Sequence, residues 1–299
     1  MNTCYKKDEW LIIEEGFHPE LNRESESIFS IGNGYMGQRA NFEEHYSGDS
    51  LRGSYVAGVY YPDKTRVGWW KNGYPEFFAK VPNAPAWTGI DVSVNGNQVD
   101  LATAEIASFV RILNMKDGFL DRKFSIRVEG GRRLEFNSRR FVSMMEPDAG
   151  IIKYSIRSSD FDGTLGFSLS IDADVRNEDA NYGKKFWKEV TRRADQGKGM
   201  IVARTMKTDF HVATGMCFQV FVNGKQIQVN AEVVSRTKYV ASTFSIPVSQ
   251  GDEVTVIKYA AVLSSLNNPK DTLVRDATKR LGEIMDEGYV KLIGDHMEV

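Results

Sequence analysis

Three glycines in six residues, Gly32-Asn33-Gly34-Tyr35-Met36-Gly37, spell a literal GxGxxG. That spacing lets a backbone approach a pyrophosphate, provided that a buried strand precedes it and a helix follows it. Residues 38–44, Gln-Arg-Ala-Asn-Phe-Glu-Glu, show no helical periodicity. The stretch therefore reads as a structural glycine turn, in which Gly32, Asn33, Gly34 and Gly37 allow close backbone approach and positive φ. Carboxylates stand in local pairs at Glu43/Glu44, Asp172/Asp174 and Glu178/Asp179. Glycoside chemistry needs one or two carboxyls facing a cleft, one with its pKa raised. Adjacency in sequence does not supply that geometry, and solvated charge is the simpler role.

Residues 60–87 are rich in rings: Tyr60, Tyr61, Trp69, Trp70, Tyr74, Phe77, Phe78 and Trp87. Rings can stack on the C–H face of a sugar, but large aromatics also build interfaces and cores, which is the role expected here. Pro62, Pro75, Pro82 and Pro85 mark the segment as loop. There is no GxSxG motif, and His211 falls inside an alternating run as an ordinary strand histidine. Two cysteines and four scattered histidines exclude a finger-type zinc site and a disulfide framework. No cofactor or metal is expected.

Those residues must be positioned by the rest of the 299-residue chain. Its length suits two domains, or one large β domain with a tail. It is 41% hydrophobic with a net charge of −2, so it can build a core and lacks the basic surplus of a nucleic-acid binder. No apolar run has the length of a signal sequence or a membrane helix. The expectation is a soluble, cytoplasmic protein.

The dominant pattern has period two. Asn95-Gly96 and Asn223-Gly224 each separate two alternating runs, the signature of a type I′ hairpin. Gly130-Gly131 turns a third. Further runs alternate at Ile152/Tyr154/Ile156, Leu165/Phe167/Leu169/Ile171 and Phe244/Ile246/Val248. So many short strands imply an all-β fold of packed antiparallel sheets, with no helix pattern interrupting them. Arg132-Arg133 and Arg139-Arg140 read as outward faces of strands. Residues 172–200 read as a charged, irregular excursion carrying Phe186 and Trp187. Near the C-terminus, Asn268-Pro269 suits a helix start. Leu273, Val274, Ala277, Leu281, Ile284 and Met285 then share a face up to a stop at Gly288, with another helix expected over 289–299. The last residues carry no stop signal, so the sequence is expected to continue.

The stretch Glu14–Glu44 resembles the opening of glycoside hydrolase family 65. The matching residues run from Glu20-Leu-Asn-Arg-Glu-Ser25 through Phe29-Ser-Ile-Gly-Asn-Gly-Tyr-Met-Gly-Gln-Arg-Ala-Asn-Phe-Glu-Glu44. The likeness continues at Val94–Leu101, at Arg111–Arg122, at Arg139–Ser143 and at Asn177–Tyr182, with Asn114 where the family more often has Asp. The resemblance covers essentially the whole chain and leans to the maltose-phosphorylase branch. It implies a large antiparallel β super-sandwich of the galactose-mutarotase type over 1–266. Linker helices over 267–299 then lead to an (α/α)6 catalytic barrel beyond the sequence given. It further implies an inverting phosphorylase using inorganic phosphate and an α-linked glucose disaccharide, with the catalytic acid and phosphate ligands in that barrel. No position here corresponds to them, so the chain itself is expected to be inert. Its implied partners are its own barrel and a second copy in a homodimer. Trp69, Trp70, Phe77, Phe78, Phe186 and Trp187 are the expected contacts to barrel or carbohydrate. The rival readings are a stand-alone carbohydrate-binding module and a mutarotase-like enzyme with His and Glu in a concave sheet.

Overall fold

A computed structural model describes residues 4–65, 73–178 and 183–299. Its largest element is an antiparallel sheet of eleven strands among the described residues. From one edge the order is Tyr5–Lys7, Leu11–Glu15, Glu105–Asn114, Phe119–Arg127, Arg133–Val142 and Ala149–Ser158. It continues with Glu253–Ser264, His211–Val222, Lys198–Thr205 and Trp187–Asp195, while Lys225–Ile227 pairs with His211–Val222 to one side. A second antiparallel sheet runs Glu232–Arg236, Tyr239–Val248, Gly163–Asp172, Ile90–Val94, Asn97–Gln98.

The hairpins form where local chemistry demands them. Asn95 and Gly96 have φ of 50° and 82°, and Asn223 and Gly224 have 51° and 76°, the left-handed pair that matches strand twist in a two-residue turn. The two sheets then bury their facing alternate residues against each other. Phe136, Tyr154 and Ile156 of the large sheet share one core with Leu165, Leu169, Ile171 and Ile246 of the small one. The sandwich architecture is the one expected from the alternation.

The outer face of the large sheet is covered too. The Leu273–Met297 helix lays Leu273, Ala277, Leu281, Ile284 and Leu292 over Phe119, Phe141, Ile151, Tyr259 and Ala261. Gly288, at φ 75° and ψ 161°, breaks the helix into two segments, as its position in the sequence suggests. The helix begins at Leu273, later than Asn268-Pro269 suggest. Pro269 instead opens a turn, its carbonyl accepting the Thr272 N–H at 3.3 Å.

Three expectations change. Residues 187–200 are not irregular: Trp187–Asp195 and Lys198–Thr205 pair as the far edge of the large sheet. Their charge is that of an edge strand, which needs charge to deter further pairing. Part of the Pro-rich aromatic segment is strand as well, with Phe77–Lys80 paired to Tyr61–Lys64. A short helix, Asn22–Ile28, also precedes the glycine turn. Its buried residues are Asn22, Ser25 and Glu26, so it presents no apolar stripe to recognise.

Candidate functional site

The inward face of the large sheet carries charge where a core would normally be apolar. Antiparallel register aligns Glu14, Arg111, Arg122, Ser138 and Tyr154 in one row across five strands. Arg140 stands two residues beyond Ser138 on the same face. Arg111, Arg122 and Arg140 are 2%, 4% and 1% exposed. Arg140 therefore corrects the outward reading of the Arg139-Arg140 pair. Neighbours on a strand point to opposite faces, so only one of the two can face solvent.

Acidic groups descend on this row from the N-terminal segment. Arg122 Nη2 donates to Glu43 Oε2 and, at 2.6 Å, to Glu44 Oε2. Tyr154 donates its hydroxyl to Glu44 Oε1 at 2.6 Å. Arg140 Nε lies 3.4 Å from Glu43 Oε1 as an ion pair, and its Nη2 donates to the Asn41 carbonyl at 2.8 Å. Arg111 Nε lies 3.3 Å from Glu14 Oε2, whose other oxygen accepts from the Ser25 hydroxyl at 2.8 Å. Phe42 is held between two guanidinium groups, its ring centroid 5.0 Å from Arg111 and 5.1 Å from Arg122. Glu26 extends the network by accepting from Asn22 Nδ2, the Ser50 hydroxyl and the Leu51 N–H. The result fastens residues 41–51 onto the sheet. Glu43 and Glu44, expected as solvated charges, are 2% and 3% exposed.

Burial raises the Glu44 carboxyl, and the charge of Glu43 beside it adds to the rise. Burial opposes ionisation of Glu43 too, but Arg140 and Arg122 outweigh it and hold that carboxyl below its ordinary range. Two neighbouring carboxyls with pKa values pushed apart resemble an acid–base pair. Here, however, three of the four oxygens accept hydrogen bonds from Arg122 or Tyr154, and the fourth, Glu43 Oε1, lies 3.4 Å from Arg140 Nε as an ion pair. The arrangement holds a segment in place, with both carboxyls engaged by buried cations or the Tyr154 hydroxyl.

Lys258 is a fourth inward cation, fully buried, with Nζ donating to the carbonyls of Gly89 and Ser170 at 2.8 Å each. Burial pulls its pKa down to about 7. The sequence held a signal for these residues. Arg122 shares parity with Phe124 and Ile126, Arg140 with Leu134 and Phe136, and Lys258 with Val254 and Val256. A charge in the apolar register of a strand is a buried charge that needs a partner.

The residues singled out from sequence fall in several places. Trp69 and Trp70 lie outside the described residues. Phe77 and Phe78 are 42% and 37% exposed, with the Lys207 ammonium 5.4 Å from the Phe77 ring and Tyr74 edge-on to Phe78 at 5.7 Å. Phe186 and Trp187 are each 2% exposed. Phe186 stacks on Tyr61 at 4.2 Å, and Trp187 donates its indole N–H to the Asn83 carbonyl at 2.6 Å. Neither presents a ring face to a sugar or to another domain. Gly32 and Gly37 pair across a small hairpin between Ile31–Gly32 and Met36–Gln38, turned by Gly34 at φ 83°. Asn33 Oδ1 accepts the N–H groups of Tyr35 and Met36, while Nδ2 donates to the carbonyls of Ser143 and Pro147. The glycine turn thus sits pinned to the 143–147 loop, in no phosphate-binding strand–helix unit. Among the described residues no group of three His, Cys, Asp or Glu side chains could hold a metal ion. No helix there is long and apolar enough to cross a membrane.

Sandwich and outer helix define the class: a large antiparallel β super-sandwich backed by a helix. Residues 12–299 match the model of the glycosyl hydrolase family 65 N-terminal domain, and the chain belongs to that family. It is 36% identical over 285 residues to a maltose phosphorylase of Bacillus subtilis, covering 95% of this chain and 37% of that protein. It is 28% identical to an α,α-trehalose phosphorylase of Thermoanaerobacter brockii, covering 95% of this chain and 38% of the relative. A solved chain from the human microbiome, provisionally named a kojibiose phosphorylase, shares the fold. Its TM-score is 0.86 at 21% identity, over 99% of this chain and 38% of that one. The chain thus spans little more than a third of the length of these relatives.

Proposed function

We propose that this chain is the non-catalytic N-terminal domain of an inverting α-glucoside phosphorylase of the maltose type. Residues 1–266 are its super-sandwich, and 267–299 lead toward an (α/α)6 barrel that carries the chemistry. The observation that carries this reading is the 285-residue correspondence to a maltose phosphorylase, of which the chain matches only 37%. The Glu43–Glu44 pair supports it, because these two carboxyls with separated acidities are engaged by Arg122, Arg140 and Tyr154 in packing. In the whole enzyme the sandwich buttresses the barrel, shapes the rim of the active site and contributes to a homodimer, with exposed Phe77 and Phe78 among its contact residues. Phosphate takes the place of the water of an inverting hydrolase, attacking the anomeric carbon while the barrel's acid protonates the glycosidic oxygen. The enzyme works in the cytoplasm on an α-linked glucose disaccharide and inorganic phosphate.

A coupled assay for glucose 1-phosphate tests this. The 299-residue chain and the full-length protein are each given maltose, kojibiose, nigerose or trehalose, with and without phosphate. The expected result is product from the full-length protein alone, fastest with maltose and only with phosphate. Glucose 1-phosphate from the 299-residue chain itself would overturn the reading and put the catalytic groups within the sandwich.

A further inference from the structure

Where the N-terminal segment meets the edge of the small sheet lies a cavity of about 290 Å³. Residues 38–54 form one wall, 83–91 a second, and Ser170, Asp172, Arg236 and Tyr239 a third. Three of its lining residues, Glu43, Glu44 and Asp172, belong to carboxylate pairs visible in the sequence; Thr88, Asp91, Arg236 and Tyr239 were not conspicuous there. Three features suggest a ligand. Thr88 is 6% exposed and lines the cavity, yet its hydroxyl makes no hydrogen bond to the described residues. Asp91, half-buried beside it, likewise has no hydrogen-bond or ion-pair partner among the described residues, although buried Lys258 binds the backbone of neighbouring Gly89 and Ser170. Tyr239 supplies an aromatic ring, with the Arg236 guanidinium 4.2 Å from its centroid.

The chemistry of the walls selects the ligand class. Acceptors at Asp91 and Asp172 alternate with donors at Thr88, Arg52 and Arg236. An anion would meet four carboxylates, those of Glu43, Glu44, Asp91 and Asp172, and a cation would meet the guanidinium groups of Arg52 and Arg236. A neutral molecule with many hydroxyls satisfies both signs, because each hydroxyl donates and accepts. The volume is just under the roughly 300–1,000 Å³ of pockets for drug-sized ligands, which favours one sugar ring over two. We infer that this cavity binds a single neutral hexopyranose, with Asp91 and Thr88 hydrogen-bonding its hydroxyls and Tyr239 against its C–H face. It is a binding site, not a reaction centre. That the hexose is glucose rests on the function proposed above; the site itself does not.

Titration calorimetry of the 299-residue chain with D-glucose, D-galactose, D-mannose, glycerol and inorganic phosphate tests the inference. The expected result is saturable binding of D-glucose. Asp91→Ala and Thr88→Val should each weaken it about tenfold, one charge-assisted or neutral hydrogen bond's worth, with the unfolding midpoint unchanged. Neither substitution breaks an ion pair of the fold, so both variants should remain folded. Binding of galactose or mannose in place of glucose would uphold the site while counting against a glucoside-specific parent. Saturation by phosphate alone, equal binding of glycerol, or no hexose binding would overturn the site, and phosphorolysis by the full-length protein would survive any of these.

Discussion

The Arg133–Val142 strand displays the two faces of the large sheet side by side. Arg139 turns outward, forming a two-bond pair with Asp121 at 2.7 Å and lying over the Phe119 ring at 3.9 Å, still 37% exposed at its side chain. Arg140 turns inward, 1% exposed, and meets Glu43 and the Asn41 carbonyl. The faces differ in the same way throughout. Outside, an amphipathic helix covers the sheet through apolar side chains that many sequences could supply. Inside, three buried guanidinium groups require carboxylates at particular places, and residues 14, 43 and 44 supply them. Apolar packing tolerates slippage, whereas a buried charge without its partner is costly. The inner face therefore dictates where the N-terminal segment lies, and the outer face only that something apolar lies there.

This contrast can be broken from either side. Arg122→Ala strands Glu43 and Glu44 in the core and should cost about 3–5 kcal/mol in denaturant unfolding. Replacing Arg122, Glu43 and Glu44 together by apolar residues should recover much of it. A loss below about 1 kcal/mol for Arg122→Ala would mean that water already reaches these groups. On the outer face, Leu281→Ala removes a 4%-exposed side chain from between helix and sheet and should cost about 2–5 kcal/mol through the cavity it leaves. Its signature should be local, with faster amide exchange in residues 273–297 and little change in residues 41–54.

Asp63 offers an intermediate case. It is buried and bonded to Lys80 at 3.1 Å and Lys184 at 2.6 Å. Burial opposes its charge, yet the two ammonium groups win and hold its carboxyl at about 2. A depressed carboxyl contributes stability above its unfolded pKa and loses it as pH falls through the folded one. Asp63→Asn should therefore be less stable by about 2 kcal/mol near neutrality. The gap should close between about pH 4 and pH 2. A gap independent of pH would show that the side chain matters for shape and not for charge. The smallest effect belongs to Arg139→Ala on the outer face, below about 1 kcal/mol and diminished by salt.

Much of the fold was legible because period-two alternation and Asn-Gly turns are local signals. Asn95-Gly96 and Asn223-Gly224 specify their hairpins without reference to the rest of the chain. The outer helix was legible through its apolar stripe. The Asn22–Ile28 helix was not, because its inward residues are polar and find most of their partners about ten to thirty positions away, such as Glu14 and Leu51. The charge network failed to register for the same reason: Glu43 meets Arg122 across a separation of 79 residues. Phe186 and Trp187 were visible as large rings, but whether a ring faces solvent or core depends on Tyr61 and Asn83, far away in sequence. The cavity at Asp91 and Thr88 exists only once three distant segments converge.

The most direct measurement is the turnover of the full-length protein carrying Glu44→Gln, below its unfolding temperature and at saturating maltose and phosphate. Glutamine keeps the shape and much of the hydrogen bonding toward Arg122 and Tyr154. If the inner face is a fastening, kcat should stay within about twofold of the unsubstituted enzyme while the unfolding midpoint falls. A loss of about 10²–10⁴-fold in kcat with the fold intact, the contribution of a proton-transfer group, would contradict it and make this carboxyl part of the chemistry.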